Sequence, residues 1–479
     1  MKSKRMHKSK LISAALILTS LTLTACNPVG TIKSGLDAPV HPIGNYDTKE
    51  EMVYSDAGKI AGVINEFATP GGICKVRLTD TYFDVTLDEE NATPYEAGYS
   101  YGVAINMMYP EYTSILEPYL FENILAAFPT IEDDYTPVQI RMEGLFSSLD
   151  EHYREEIKGL ADGLNLTKHG IRPDGILSVE ELMVGQMVPD ALRHTACSGL
   201  SLWGEKTDTH DMIAVRCLEW SLGSENSMCK VNTVLHIKNH EKSITSIGFL
   251  GLFDVISGVS DDGVMAAMID QYTEQAFEYE GKTCYSFAIR KALEEYTTAK
   301  DVASYMVKNS GNFTISHNVM VTDGKESYCA EDICESARLA GKGFPSLRDF
   351  NTPIFRELSW DSPDSLCIVN ATLTRGNFDA MSGVSNNVVR FEKYNKWVKE
   401  TPSFTVKAVK DMMTQEIVET DLNGIPVVQN VHRDNLTQMI IIDYHSGSVQ
   451  VAFTGPEGVV DKPLFYEVVK IPPISVKER

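Results

Sequence analysis

Ala196-Cys197-Ser198-Gly199-Leu200 divides this 479-residue chain into two kinds of sequence. From about Ala57 to Cys197 the pattern is mostly helical. Leu149, Tyr153, Ile157, Leu160 and Leu164 recur at helical spacing, and Gly163 and Asn165 supply a stop. Ser178-Val179-Glu180-Glu181 is a capping box, opening a helix that must end before Pro189. After Cys197 the pattern turns to strands. Met212–Val215, Val231–Ile237, Ser243–Phe249, Val264–Ile269 and Ile315–Val321 are β-branched or alternating runs bounded by polar turns. Helical stretches interrupt them near Tyr285–Tyr296 and from Thr298-Ala299-Lys300-Asp301 to Lys308. Met439–Tyr444 and Ser448–Phe453 flank His445-Ser446-Gly447 and predict a hairpin. Helices first, then strands and helices mixed, favour an α+β fold over a doubly wound sheet.

The chain start carries an address. Lys2, Lys4, Arg5, Lys8 and Lys10 precede an apolar run, Leu11 to Leu23, which is too short to span a bilayer. Residues 1–25 therefore read as a secretory signal. The small residue before Cys26 fits lipoprotein processing, with a diacylglycerol on the Cys26 thiol; an ordinary signal with a chance cysteine is the plainer alternative. A diacyl anchor would hold the chain to a membrane outside the cytoplasm. Residues 26–56, rich in Gly, Pro, Asp and Lys, read as a tether. Removing residues 1–25 takes the formal net charge from −23 to −28, which argues against nucleic acid as a partner. Eight cysteines remain beside Cys26. With no CxxC, no HExxH and no zinc spacing at Cys329 and Cys334, neither metal nor cofactor is expected.

Cys197 is the chemical candidate. A thiol needs a base at neutral pH. The signature of papain-like enzymes is absent, and the histidines form no suggestive cluster. If the chain is cut between Ala196 and Cys197, Cys197 gains an α-amine whose reference pKa is about 7.7–8.0. That amine can accept the thiol's proton. The same thiol can make the cut by attacking the Ala196 carbonyl, and the small neighbours leave room for the intermediate. The structural alternative is a buried small hydrophobe.

Several segments carry a resemblance in the same order. Tyr95-Glu96-Ala97-Gly98-Tyr99-Ser100-Tyr101-Gly102 resembles the PYExGxxxG opening of the isopenicillin-N acyltransferase family of N-terminal nucleophile (Ntn) hydrolases, relatives of the choloylglycine hydrolases. Glu155–Gly163 resembles its EExxGxADG segment, and Ser178–Leu182 the helix before the nucleophile. Cys197-Ser198-Gly199 stands at the nucleophile. Arg216-Cys217-Leu218-Glu219-Trp220 matches RNxDW in part. Gly248–Gly251 and Ser257–Gly263 resemble GxxG and SGxNxxG. Ser316-His317-Asn318 with Asp323 resembles HNxxxxD, and Gln438–Pro456 the C-terminal hairpin. The resemblance implies an αββα sandwich over 197–479, with the helical region 57–196 as propeptide or small subunit. It implies Cys197 as nucleophile, Asn318 as oxyanion donor and Arg216 as charge partner of the thiolate. A turn amide and a surface ion pair are the plain readings of Asn318 and Arg216.

Three departures bear on substrate. Glu219 replaces Asp and is one methylene longer. Cys217 replaces Asn. Asp270 stands where related bile-salt hydrolases carry a substrate-binding Asn; it reads either as a site for a cationic group or as a solvated strand end. Arg390 resembles a late arginine of the superfamily, a second charge partner near the site, or is a surface arginine. Bile-salt and penicillin V hydrolases begin near their nucleophile, so the long upstream segment favours the acyltransferase type, in which the two fragments stay together as a heterodimer. The expected reaction is hydrolysis of a small linear amide, an N-acyl amine or N-acyl amino acid. Transfer to an amine acceptor and a non-catalytic surface binding lipoprotein are the alternatives; an acyl-CoA donor is not expected outside the cytoplasm.

Overall fold

In β5 (Ile213–Trp220) every residue is buried, as expected of a strand covered on both faces. Ala214, Leu218 and Trp220 face one hydrophobic core, and Ile213, Val215 and Cys217 face another. The alternation sets the layers. The computed structural model describes residues 53–192, 195–240, 242–271, 277–360, 362–377, 387–414, 418–420, 426–428, 436–460 and 462–474. The signal, Cys26 and most of the tether therefore lie outside the described residues.

The strands are β1 (Val63–Ala68), β2 (Cys74–Thr79), β3 (Phe83–Asp88), β4 (Thr195–Leu202), β5, β6 (Asn232–Lys238), β7 (Ile244–Phe249), β8 (Ser257–Ser260), β9 (Met265–Asp270), β10 (His317–Thr322), β11 (Ser327–Asp332), β12 (Ser346–Arg348), β13 (Ser365–Ile368), β14 (Val418–Thr420), β15 (Pro426–Val428), β16 (Leu436–Asp443), β17 (Ser448–Phe453) and β18 (Tyr466–Lys470). A ten-stranded sheet runs β1-β2-β3-β6-β7-β8-β9-β10-β11-β12, and a six-stranded sheet runs β13-β4-β5-β16-β17-β18. β14 and β15 pair separately. Neighbours in the two large sheets are antiparallel except β3 and β6, which pair in parallel.

The helices are α1 (Pro94–Met108), α2 (Tyr112–Ala127), α3 (Thr136–Ser148), α4 (Glu151–Gly163), α5 (Val179–Gln186), α6 (Val188–Ala191), α7 (Tyr285–Glu295), α8 (Ala299–Asn309), α9 (Glu335–Leu339), α10 (Asn387–Glu400) and α11 (Val406–Met413). α7 and α8 cover the outer face of the ten-stranded sheet. Phe391, Tyr394 and Val398 of α10 and Val409 and Met413 of α11 cover the outer face of the six-stranded one. The architecture is α+β, two stacked sheets between helix layers, with α1–α6 packed on the core. No helix among the described residues is long and apolar enough to cross a membrane.

The upstream region is not all helix. Residues 63–88 form three strands at the edge of the ten-stranded sheet, because Phe83, Val85 and Leu87 alternate with half-buried polar residues. Helices begin at Pro94, behind a second capping box made by Thr93 and Glu96. α1 and α4 approach backbone to backbone. A Cβ on Gly98 or Gly159 would overlap the carbonyls of Glu156 or Tyr95, and one on Gly102 would stand 2.6 Å from the Leu160 carbonyl. The glycines of Gly98-x-x-x-Gly102 and Gly159-x-x-x-Gly163 thus interlock. α4 is also tied to α7: both Nη groups of buried Arg290 reach the Glu156 carboxylate at 2.7 Å.

Candidate active site

β4 and β5 lie side by side, with Cys197 opposite Leu218 and Gly199 opposite Arg216. Directly opposed residues share a face, so the Cys197 thiol and the Arg216 guanidinium both point between the sheets. Arg216 Nη2 stands 3.5 Å from Cys197 Sγ and donates to the Met268 carbonyl of β9 at 3.1 Å. Its Nε and Nη1 make no hydrogen bond among the described residues. Gly199 is required beside them, since a Cβ there would collide with Met320 Sδ.

Burial pushes the Cys197 thiol up, and the neighbouring Arg216 charge opposes that shift. Burial likewise pulls Arg216 down from the usual guanidinium range. In the uncut chain the site is thus a fully buried thiol beside the Arg216 guanidinium, with the Arg390 charge also acting on it.

The main chain of Cys197 is gripped on both sides. Its N–H donates to Asn370 Oδ1 at 2.7 Å. Its carbonyl accepts a short hydrogen bond from Arg390 Nη1. Arg390 Nη1 also pairs with Glu219 at 3.2 Å, and Nη2 donates to Asn370 and Asn387 at 2.6 and 3.0 Å. Asn370 Nδ2 closes the ring on the Asp270 carbonyl at 2.6 Å. Arg390 reaches the site because α10 packs on the outer face of the six-stranded sheet; at 1 % exposure it is no surface arginine.

Of the residues singled out in the sequence, Cys197, Arg216, Glu219 and Arg390 come together here. Asp270 contributes its carbonyl, and its carboxylate accepts from the Gln271 N–H at 2.8 Å. Fully buried, it is not a solvated strand end. Asn318 lies on β10 with its amide turned to the chain beside β13. Its Nδ2 donates to the Val369 and Ala371 carbonyls at 3.1 and 3.0 Å. It fastens the segment that presents Asn370. His317 is buried 3.0 Å from Asp332 and stacks on Tyr285. Asn370 and Asn387 were not anticipated: Ile368-Val369-Asn370-Ala371 carries no titratable side chain to mark it. The eight cysteines of the described residues are buried free thiols.

No family model matches the chain, and no curated protein sequence matches it. Among solved structures, the Caenorhabditis elegans ortholog of N-acylethanolamine-hydrolyzing acid amidase overlaps 51% of this chain and 92% of its own, at 13% identity and TM-score 0.34. A mutant conjugated bile acid hydrolase from Clostridium perfringens overlaps 58% and 99%, at 12% identity and TM-score 0.32. Penicillin V acylase from Agrobacterium tumefaciens overlaps 54% and 83%, at 12% identity and TM-score 0.28. With TM-scores this low, the fold stands on its own sheet order and layering.

Proposed function

We propose that this chain is an amide hydrolase of the N-terminal-nucleophile type, made active when it cuts itself between Ala196 and Cys197. The observation behind the reading is the arrangement at Cys197: a thiol 3.5 Å from a buried guanidinium, on a residue whose N–H and carbonyl are both held by side chains. A merely structural cysteine needs none of this.

In the self-cut, Sγ attacks the Ala196 carbonyl carbon. The C–S bond forms, the peptide C–N bond breaks, and the Cys197 nitrogen keeps the proton given up by the thiol. Water then opens the thioester, leaving a carboxylate on Ala196 and an α-amine on Cys197. In turnover that amine takes the thiol proton, near neutral pH by its reference pKa of about 7.7–8.0. The thiolate, steadied by Arg216, attacks the substrate amide. The leaving amine departs protonated, and water releases the acid. An amine in place of water would make the same acyl-enzyme a transferase. Export and a diacyl anchor on Cys26 complete the proposal; incorporation of labelled palmitate, lost in Cys26→Ala, tests that part.

The deciding experiment is intact-mass analysis of the mature protein. The reading expects two fragments on a denaturing gel, the larger beginning at Cys197, and one chain for Cys197→Ala. A single wild-type chain whose Cys197 resists iodoacetamide would overturn it. A panel of N-acyl amines then gives the substrate.

A further inference from the structure

A narrow apolar cleft, partly open to solvent, lies between α2, α5 and the end of β5. Tyr112, Leu116 and Tyr119 line it from α2, Gly185 from α5, and Trp220 and Phe249 from the strands. Its place relative to the thiol follows from register. Trp220 lies two residues beyond Leu218, the cross-strand partner of Cys197, on the same face. Such a diagonal neighbour is about 7–8 Å away. Ala196 pairs with Glu219 and Thr195 with Trp220. An acyl carbonyl that replaces the Ala196 carbonyl after the cut would therefore send its chain toward Trp220 and into this cleft.

The lining defines what fits. Tyr119 Oη accepts from Trp220 Nε1 and donates to the Ser221 carbonyl. The Gln186 amide is spent on Gly251 and Phe253. Tyr112, only 3% exposed, makes no side-chain hydrogen bond among the described residues. It stands seven residues from Tyr119 on the same helix, about 10 Å at 1.5 Å per residue. One end of the cleft is thus marked by Trp220 and the other by a phenol that has no protein partner among the described residues, so that a ligand oxygen can take it.

We propose that the cleft receives the acyl part of the substrate, an apolar chain bearing one oxygen at its far end, and that Tyr112 selects for that oxygen. This rests on the amide-hydrolase reading, but its test does not depend on turnover. Decanoic acid and its terminally hydroxylated counterpart are titrated calorimetrically into the mature protein, and hydrolysis of their ethylamides is followed in parallel. The hydroxylated acid should bind about 3- to 10-fold more tightly, and Tyr112→Phe should abolish the difference. Gly185→Leu should weaken both acids, since a Cβ there meets the Leu116 and Leu120 methyls at an ordinary 3.7–3.8 Å and a longer side chain fills the cleft. Binding without hydrolysis keeps the cleft and sinks the amidase. Hydrolysis indifferent to both Gly185→Leu and Tyr112→Phe keeps the amidase and sinks the cleft.

Discussion

Asn370 holds three parts of the site with one amide. Oδ1 receives the Cys197 N–H and Arg390 Nη2, while Nδ2 reaches the Asp270 carbonyl. The self-cut must pass through a tetrahedral carbon bonded to that same Cys197 nitrogen, so its orientation sets the attack geometry. Asn370→Ala should slow appearance of the two fragments about 10- to 100-fold, the size expected for losing a hydrogen bond to a charged network. Asn370→Asp, which keeps both acceptor contacts, should cut faster than Asn370→Ala. A time course on denaturing gels measures both, and equal rates for wild type and Asn370→Ala would remove Asn370 from the chemistry. At this scale the sequence marked the charged and nucleophilic members, Cys197, Arg216, Glu219 and Arg390, because each stands in a recognisable local pattern. Asn370 escaped because it is a neutral amide beside an apolar strand, and its partner Cys197 is 173 residues away.

Among the elements, α1 and α4 are the most tightly specified. Adding a methyl at Gly98 or Gly159 would force backbone against backbone, where no side chain can yield. Each Gly→Ala change should cost about 2–3 kcal/mol in urea unfolding, whereas Gly62→Ala, with open space around it, should change stability by less than about 0.5 kcal/mol. Next to this pair, Glu89 after β3 faces His152 and Glu156 of α4 and Arg290 of α7. Burial, reinforced by the Glu156 charge, pushes its carboxyl up to about 7. Its folded pKa thus lies above the unfolded one, so its contribution is complete at low pH and is lost as pH rises through 7. The loss should be on the order of 3 kcal/mol between pH 4 and 8. Unfolding midpoints across that range should fall for wild type and fall less steeply in Glu89→Gln, the remainder coming from His152, whose burial is outweighed by its carboxylate neighbours, which raise its pKa to about 10; parallel curves would reject this origin. Elements with their own local signals were legible: the α5 capping box, α7, α8 and the β16–β17 hairpin. β1–β3 were not: they pair with one another locally, but what draws them into the larger sheet is the pairing of β3 with β6, some 150 residues on.

For the whole molecule, one question is whether a cut at Ala196–Cys197 would release the upstream part or leave it in place. That part supplies three of the ten strands of the larger sheet, with β3 paired to β6 from Phe83–Thr233 to Asp88–Lys238. It also supplies Glu156 to buried Arg290, and Asp190, whose carboxylate receives the Tyr285 N–H at 2.7 Å and caps α7. At the opposite side Lys410 Nζ donates to the carbonyls of Ser55, Asp56 and Ala57. Scission of one peptide bond removes none of these contacts, and separation would open a sheet and bare an apolar core. The cut protein should therefore elute as one species with both fragments under native conditions and separate only in denaturant. Arg290→Met leaves buried Glu156 without its guanidinium partner and should cost about 3–5 kcal/mol, lowering the urea concentration at which the fragments part. Native protein found as residues 197–479 alone would make the upstream region a discarded propeptide, and the cleft between α2 and β5 would lose one of its two walls.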